Sequence, residues 1–326
     1  MLKPFIIQSA LISDMGLIRR HNEDAHYCNG SFCALEDMDR HVEHYEELTA
    51  DKALFAICDG MGGQQHGEKA AYTAVRQMKE LHRQLPGRDF HTVMQHWIRQ
   101  TNVLVREASD GGGCTLALLY VEDHMLRVCH VGDSRIYRFH HSQLTRLTLD
   151  HSQVEMMLSA GMITPEEART HPRRHAITRY LGMPPHISCE ATISQAIPLM
   201  DGDIYLLCSD GLTDMLSDAD ISAILRQEST LAARAQALFQ AAMKAGGRDN
   251  ITLTLLQISG EDDDLLPMAP DEEDEPTVDF GPDEPLSQTI VVQVQQSAGK
   301  TTDITMSIPA QHDATLRITT TIHQPR

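Results

Sequence analysis

Residues 55–63 read Phe-Ala-Ile-Cys-Asp-Gly-Met-Gly-Gly, an apolar run that leads into an aspartate and three glycines. The four apolar residues predict a buried strand, and the Asp59-Gly60 pair predicts the turn that ends it. An aspartate at such a strand end is held at the rim of a core, and the glycines let backbone carbonyls and a ligand approach closely. Taken alone, the stretch is explained equally well as a plain strand and tight turn.

The same arrangement recurs later in the chain. Residues 204–211 form a second apolar run that ends in Asp210 and Gly211, and Asp249 lies just before a third run at 251–258. Carboxylates are hard oxygen ligands that suit Mg²⁺ or Mn²⁺. Aspartates at several strand ends therefore predict convergence on metal ions.

Composition bounds the class of protein. The chain has 326 residues and an apolar share of 41%, which is enough for a large core. Its formal charge of −19 argues against nucleic acid and anionic membranes as partners, although twelve of the acidic residues lie between 261 and 284. No apolar run approaches 18 residues and no signal-peptide pattern begins the chain. Seven cysteines without a CxxC pair indicate free thiols and a cytoplasmic protein.

Further charged residues fit a site for metal and phosphate. Arg19 lies just before Glu23 and Asp24, and Asp133 follows a glycine at a strand end. An arginine fork binds phosphate oxygens bidentately, although the same charges are ordinary on a surface loop. The polar residues 34–51 include two histidines, and we expect a solvated loop or short helix there rather than a metal site. The irregular stretch 150–183 is typical of a functional lid.

The spacing of apolar residues predicts helices over 66–85, 90–108, 218–227 and 231–244. Two successive helices between strands fit an α+β layered domain better than a βαβ repeat.

Eight short motifs occur in the order found in one known family. Together they resemble the metal-dependent protein serine/threonine phosphatases of the PPM family, type 2C, in their bacterial form. The matching motifs are RxxNED at 19–24, DGMGG at 59–63, GCT at 113–115, GDSR at 132–135, LTxDHS at 147–152, ITR at 177–179, SDGLxD at 209–214 and RDN at 248–250.

The resemblance implies a four-layer α-β-β-α sandwich, in which two antiparallel sheets are flanked by helices, with the metal site at one end. It also implies two Mn²⁺ or Mg²⁺ ions, with a third, weaker position. The roles carried over are a bridge between the ions for Asp59, a carbonyl ligand for Gly60, first-metal ligands for Asp210 and Asp249, the inner or water-mediated shell for Glu23 and Asp24, a third-metal contact for Asp133 and a phosphate clamp for Arg19.

The activity implied is hydrolysis of phosphoserine and phosphothreonine in proteins by a metal-activated water, opposing a Ser/Thr kinase. One departure from the family concerns Met61, which stands where eukaryotic members often carry a histidine proposed as general acid. Two rival interpretations are a pseudophosphatase that acts as a sensor or scaffold through its C-terminal tail, and a hydrolase for small phosphoesters. The first is disfavoured because every main metal carboxylate is present.

The expected organisation is a catalytic domain at 1–259, a disordered acidic linker at 260–286 and a β-rich tail at 287–326. The tail contains three Thr-, Val- and Ile-rich runs, which fit either a small three-stranded sheet or a mobile segment. Thr277 and Thr289 lie near acidic residues, so the tail is a candidate for phosphorylation and for recruiting a phosphothreonine-binding partner. A plain solubilising tail remains the alternative.

Overall fold

The structure is a computed structural model that describes residues 5–62, 66–260, 288–295, 301–308 and 317–320. The described residues fall into two units, of which the first ends with the strand at Ile251–Gly260 and the second contains the three strands after residue 287. The predicted linker at 260–286 lies outside the described residues except for Gly260. The predicted domain boundaries stay a prediction.

The first unit contains two antiparallel sheets. One has six strands in the spatial order β3 (Val42–Ala50), β1 (Phe5–Asp14), β13 (Ile251–Gly260), β12 (Ile204–Cys208), β8 (Arg135–His140) and β9 (Gln143–Arg146). The other runs β10 (Thr192–Ile193), β7 (Met125–Val131), β6 (Leu116–Glu122), β4 (Lys52–Met61) and β2 (Asp24–Cys28), with β11 (Ile197–Pro198) paired to β7 and β5 (Gly113–Cys114) paired to β4.

Helices cover the outer faces of both sheets. Their bounds are α1 (Gly67–Gln84), α2 (Phe90–Ala108), α3 (Gln153–Ser159), α4 (Pro165–Thr170), α5 (Asp210–Thr213), α6 (Asp218–Leu225) and α7 (Leu231–Lys244). Each of the four predicted helices is confirmed to within a few residues. In the part of the chain that the structure describes, no helix combines the length and apolar character needed to cross a membrane.

Strand β4 shows why the apolar runs do not alternate. Phe55 and Ile57 pack in the layer between the two sheets, whereas Leu54 and Ala56 pack against α1 and α2 on the other face. A strand with both faces buried has no polar side to display, so its sequence is continuously apolar. A third apolar layer joins the other sheet to the later helices and includes Leu238. The predicted four-layer sandwich is confirmed.

The prediction of a loop or short helix at residues 34–51 was wrong for residues 42–50. Only Leu35–Asp37 form a short 3₁₀ turn, and Val42–Ala50 form strand β3, which pairs with β1 along the edge of the six-stranded sheet. The polar sequence hid the strand because an edge strand keeps one face in solvent, and charged side chains there discourage pairing with other chains.

The second unit is an antiparallel sheet of three strands, β14 (Gln288–Gln295), β15 (Thr301–Ile308) and β16 (Arg317–Thr320). Of the two alternatives for the tail, a small three-stranded sheet or a mobile segment, the described backbone therefore forms the sheet.

We expect Phe55→Ala to lower the free energy of unfolding by about 3–5 kcal/mol, because the ring is 0% exposed between the sheets and its loss leaves a cavity. Leu104→Ala on α2, where the side chain is 40% exposed, is the control and should change it by less than about 0.5 kcal/mol. Urea denaturation measures both variants. Equal effects would show that Phe55 is not a central core residue.

Candidate metal centre

Pairing of β2 with β4 places the first two predicted carboxylates side by side. Asp24 and Asp59 are opposite each other in the antiparallel register, and the Gly60 N–H donates to the Glu23 carbonyl oxygen at 3.1 Å. Residues 23–24 and 59–60, which are 36 positions apart in sequence, therefore share one sheet edge.

Gly60 lies in a space that admits no side chain. A Cβ at this position would lie 2.2 Å from the Gly67 carbonyl oxygen and 2.5 Å from the Glu23 carbonyl oxygen. Contacts this close with backbone atoms cannot be relieved by a rotamer change. Only glycine fits at position 60, because the first residue of α1 and the residue before β2 lie too close to it to leave room for a side chain.

The backbone of Asp59 is fixed by Thr115. The Asp59 N–H donates to Thr115 Oγ1 at 2.9 Å, and the Thr115 N–H donates to the Asp59 carbonyl oxygen at 2.8 Å. The Thr115 hydroxyl also bonds the Ser134 hydroxyl at 2.6 Å, next to Asp133 in the chain. The position of Asp59 is therefore set by hydrogen bonds that leave its carboxylate free.

Asp210 and Asp249 come from the neighbouring strands β12 and β13. Asp210 follows β12 as the first residue of α5, and Asp249 lies two residues before β13. Gly211 allows this crossing, since a Cβ there would lie 1.9 Å from the Asn250 carbonyl oxygen.

Asn250 holds the loop between β1 and β2 against the segment that precedes β13. Its Oδ1 accepts from the Glu23 N–H at 2.9 Å, and its Nδ2 donates to the carbonyl oxygens of Met15 and His21 at 3.1 and 2.9 Å. The amide thus uses its oxygen and both of its donor hydrogens to hold the loop that carries Glu23. The sequence motif contained Asn250, but nothing in the pattern indicated this bracing role.

These elements enclose a cavity of about 600 Å³. Seven of the eight predicted site residues line it, namely Arg19, Glu23, Asp59, Gly60, Asp133, Asp210 and Asp249. The eighth, Asp24, lies buried behind the wall, where its Oδ2 accepts from Ser209 Oγ at 2.8 Å. Met61 also lines the cavity.

The carboxylates crowd around the cavity, where Asp24 and Asp133 are buried and Glu23, Asp59, Asp210 and Asp249 are half-buried. Burial raises the pKa of Asp59 and of Asp210 well above their usual range, and the surrounding aspartates raise them further. Burial likewise raises the pKa of Asp24 and of Asp133 to about 7. One oxygen on each of these two, Oδ1, is buried without a hydrogen-bond partner. Buried, unpaired carboxylate oxygens of this kind suit hard divalent cations, so the residues present fit a Mg²⁺ or Mn²⁺ centre.

Arg19, the predicted phosphate clamp, already contacts a carboxylate in this structure. Its Nη2 bonds Asp249 Oδ2 at 2.6 Å, so the guanidinium contacts one of the predicted metal ligands. The side chain of Arg19 is half exposed and borders the same cavity. A guanidinium has five donors, so Arg19 retains further N–H groups for an anion in the cavity.

Sequence reasoning missed His175, and it included Asp214 in a motif without assigning it a place in the site. The Nδ1 of His175 lies 3.6 Å from Asp214 Oδ2 and 3.9 Å from Asp210 Oδ2, and the three side chains present donor atoms within 4.8 Å of one another. His175 was one of several histidines in residues 150–183, and no spacing rule singled it out.

The predicted carboxylates surround the cavity rather than meeting at one point. Among the described residues, no three of Glu23, Asp24, Asp59, Asp133, Asp210 and Asp249 bring ligand oxygens within 4.8 Å of one another. Such a spread suits ligands divided between neighbouring ions better than ligands around one ion.

Comparison with known proteins identifies similar chains. A family model described as protein phosphatase 2C matches residues 24–251. The serine/threonine phosphatase stp of Listeria innocua is 33% identical over 255 residues, which cover 75% of this chain and 93% of the relative. Protein phosphatase PhpP of Streptococcus pneumoniae is 32% identical over 264 residues, covering 78% and 99%.

Solved structures agree with the sequence relatives. The crystal structure of the Mycobacterium tuberculosis serine/threonine phosphatase PstP/Ppp has a TM-score of 0.64 at 32% identity, covering 78% of this chain and 99% of that one. The catalytic domain of PstP in complex with two manganese ions has a TM-score of 0.63 at 31% identity, with the same coverage.

We expect Gly60→Ala to lower the free energy of unfolding by about 1–3 kcal/mol, because the new methyl group overlaps two backbone carbonyls. Gly62→Ala is the matched control, since a Cβ there lies 3.3 Å from its nearest neighbour, the Gly112 Cα, and should cost less. Thermal or urea denaturation in chelator separates this packing effect from metal binding. If Gly60→Ala were as stable as Gly62→Ala, the Gly67 and Glu23 carbonyl oxygens would not lie as close to residue 60 as the structure indicates.

Proposed function

Since this chain belongs to the protein phosphatase 2C family and is a protein serine/threonine phosphatase, we propose that it hydrolyses phosphoserine and phosphothreonine with two divalent ions in the carboxylate-lined cavity. The observation that carries this proposal is the set of buried carboxylates at converging strand ends, whose pKa values burial and mutual repulsion raise. The ions proposed are Mn²⁺ or Mg²⁺, because the ligands are hard oxygens.

We assign Asp59 as the residue shared by both ions, with the Gly60 carbonyl oxygen on one of them. Asp210 and Asp249 would complete the other set, and Glu23 would lie beside the pair. Asp24 supports the centre from behind, since Ser209 fixes one of its oxygens and leaves the other free. Asp133 and Asp210 would hold a third ion, which we expect to bind more weakly.

Bound divalent ions supply Lewis-acid chemistry, which polarises phosphoryl oxygens and lowers the pKa of nearby water. The chain supplies position and charge. Arg19 offers N–H donors to the phosphoryl oxygens, and Asp249 holds the guanidinium at the rim of the cavity. Thr115 and Asn250 keep Asp59 and the loop of Glu23 in place, so little reorganisation is needed during the reaction.

We further infer that the substrates are proteins phosphorylated by a Ser/Thr kinase that this enzyme opposes, in the cytoplasm. Seven free cysteines, without a disulfide among the described residues, support a reducing compartment. We propose residues 1–259 as the catalytic domain, 260–286 as a linker and 287–326 as a regulatory tail. The tail phosphorylation that we propose concerns Thr277, which lies outside the described residues, and Thr289 in β14.

Asp210→Asn should lower kcat by at least about a thousandfold, because the ions lose a ligand and the transition state loses their charge. Asp201→Asn, in an exposed turn, is the matched control and should leave activity unchanged. The assay is release of phosphate from a phosphothreonine peptide with Mn²⁺. In chelator, Asp210→Asn should melt at or above the wild-type temperature, since a carboxyl group that the surrounding aspartates disfavour in its charged form is replaced by a neutral amide. Near-normal turnover in Asp210→Asn would refute the assigned centre.

Arg19→Ala should lower kcat/KM by about a hundredfold, since a charge-assisted pair of hydrogen bonds to phosphate is lost. Arg19→Lys keeps the charge but not the planar fork, so it should fall between the wild type and Arg19→Ala. Arg99→Ala, on the exposed face of α2, serves as control. Equal kinetics for Arg19→Ala and Arg99→Ala would exclude the clamp.

Removal of the metal should abolish activity, and Mn²⁺ or Mg²⁺ should restore it. A phosphothreonine peptide and para-nitrophenyl phosphate, each assayed with Mn²⁺ and with chelator, separate the protein phosphatase from its rivals. A higher kcat/KM for the small ester would favour a small-phosphoester hydrolase. Absence of turnover on both would favour a pseudophosphatase.

The kinase and its substrates can be approached with a trapping variant. Asp249→Asn should bind phosphorylated proteins without releasing phosphate, and pull-down with this variant should enrich them over the wild type. Recovery of no phosphorylated protein would contradict the kinase-opposing role. Mapping of phosphosites after co-expression with the cognate kinase tests the tail, and finding no phosphate on residues 260–326 would remove that part of the proposal.

A further inference from the structure

The open edge of the sandwich carries polar side chains where the neighbouring layer is apolar. Strand β2 ends one sheet and strand β3 ends the other, and the two edges lie side by side, since ligand atoms of Cys28 on β2 and of His44 and Glu46 on β3 are within 4.8 Å of one another. Their side chains of metal-binding type include His26, Cys28, His44 and Glu46.

The strand registers place all four on the inner side. His26 and Cys28 pair with Ile57 and Phe55, which belong to the layer between the sheets, and directly opposed residues share a face. On β3, Leu48 packs against that same layer. Because strand side chains alternate with a period of two, positions 44 and 46 share the face of Leu48. The inner face of β3 therefore changes from apolar to polar at the point opposite Cys28.

Three of these side chains are already close together. Cys28 Sγ, a ring nitrogen of His44 and a carboxylate oxygen of Glu46 all lie within 4.8 Å of one another, and His44 Nε2 lies 3.5 Å from Glu46 Oε2. In a tetrahedral zinc site, metal–ligand bonds of about 2.0–2.3 Å place ligand atoms roughly 3.3–3.8 Å apart. Small side-chain movements therefore bring the three to coordination distance.

His26 gives a second, independent indication. Its side chain is 6% exposed and makes no hydrogen bond within the residues that the structure describes. His26 lies two residues from Cys28 on the same face of β2, so its ring is placed to supply a further nitrogen ligand.

We propose that Cys28, His44 and Glu46 bind one Zn²⁺ ion, with His26 as the fourth ligand. A thiolate and two imidazoles are borderline-soft ligands that favour Zn²⁺, in contrast to the all-oxygen carboxylate centre. Binding replaces the proton of the Cys28 thiol, so one proton is released for each ion bound. The thiolate and the Glu46 carboxylate then balance the two charges of the ion.

The zinc site would act on the fold rather than on the reaction. Cys28 lies four residues along β2 from Asp24, which is about 13 Å in an extended strand. The ion would link β2 to β3 and so fasten the edge of one sheet to the edge of the other. This role goes beyond the proposed phosphatase activity and does not depend on it.

Cobalt substitution tests the ligands directly. The full chain is saturated with Mg²⁺ to fill the oxygen sites and then titrated with Co²⁺, while the thiolate-to-cobalt charge-transfer band and the visible bands of tetrahedral cobalt are recorded. We expect both to saturate at one equivalent in the wild type. Both should disappear in Cys28→Ser and in His44→Asn.

The control is Cys33→Ser, a half-buried cysteine five positions further on, which should keep both bands. His44 is half-exposed on an edge strand, so His44→Asn is expected to fold even if Cys28→Ser does not; circular dichroism establishes this. Absence of the thiolate band in the wild type would overturn the proposal. So would a band that persists in His44→Asn or is lost in Cys33→Ser.

Stability gives a second measurement with the same variants. Zn²⁺ at a hundredfold excess over its dissociation constant should raise the melting temperature of the wild type by about 5–10 °C, with Mg²⁺ present throughout. His44→Asn should lose this shift, and Cys33→Ser should retain it. An equal shift in the wild type and His44→Asn would mean that Zn²⁺ acts elsewhere, and would overturn the assignment.

Discussion

Crowding of carboxylates around one cavity is the constraint on which the rest of this structure depends. Asp59 and Asp210 each lie where burial and neighbouring aspartates disfavour the charged form. Such an arrangement persists only if the surrounding backbone prevents the side chains from moving apart into water. Thr115 and Asn250 provide that restraint through hydrogen bonds to backbone groups, so the carboxylate oxygens stay available. The sandwich therefore supplies rigidity, and divalent cations would supply the missing charge.

The parts of the fold that follow from local pattern could be predicted from the sequence. The run at 55–58 is continuously apolar because both faces of β4 are buried, and the aspartate that follows it must lie at the margin of the core. The motifs were informative because some of their residues are required by the backbone around them. Gly60 and Gly211 lie where a Cβ would overlap a neighbouring carbonyl oxygen, so no other residue fits there. Seven of the eight predicted residues consequently line one cavity.

The parts that depend on contacts between distant residues could not be predicted. The pairing of Arg19 with Asp249 joins positions 230 apart, and nothing in either local sequence indicates it. His175 approaches Asp210 and Asp214 only because residues after α4 fold back over the cavity. Strand β3 was missed because its composition is that of a solvent-facing edge, and composition alone does not distinguish such a strand from a loop.

On the zinc site proposed above, strand β3 would give this chain a second metal site whose ligands differ from those of the carboxylate centre. Its outer face is charged, as expected for a protected edge, but His44 and Glu46 point towards the inner layer, where Leu48 packs. Both side chains keep partial contact with solvent, so a metal ion could reach them from the open edge. A thiolate–imidazole set at this margin would favour Zn²⁺ over Mg²⁺ and Mn²⁺, which prefer the oxygen ligands at the strand ends. The edge could then be fastened without competing for the ions of the carboxylate centre.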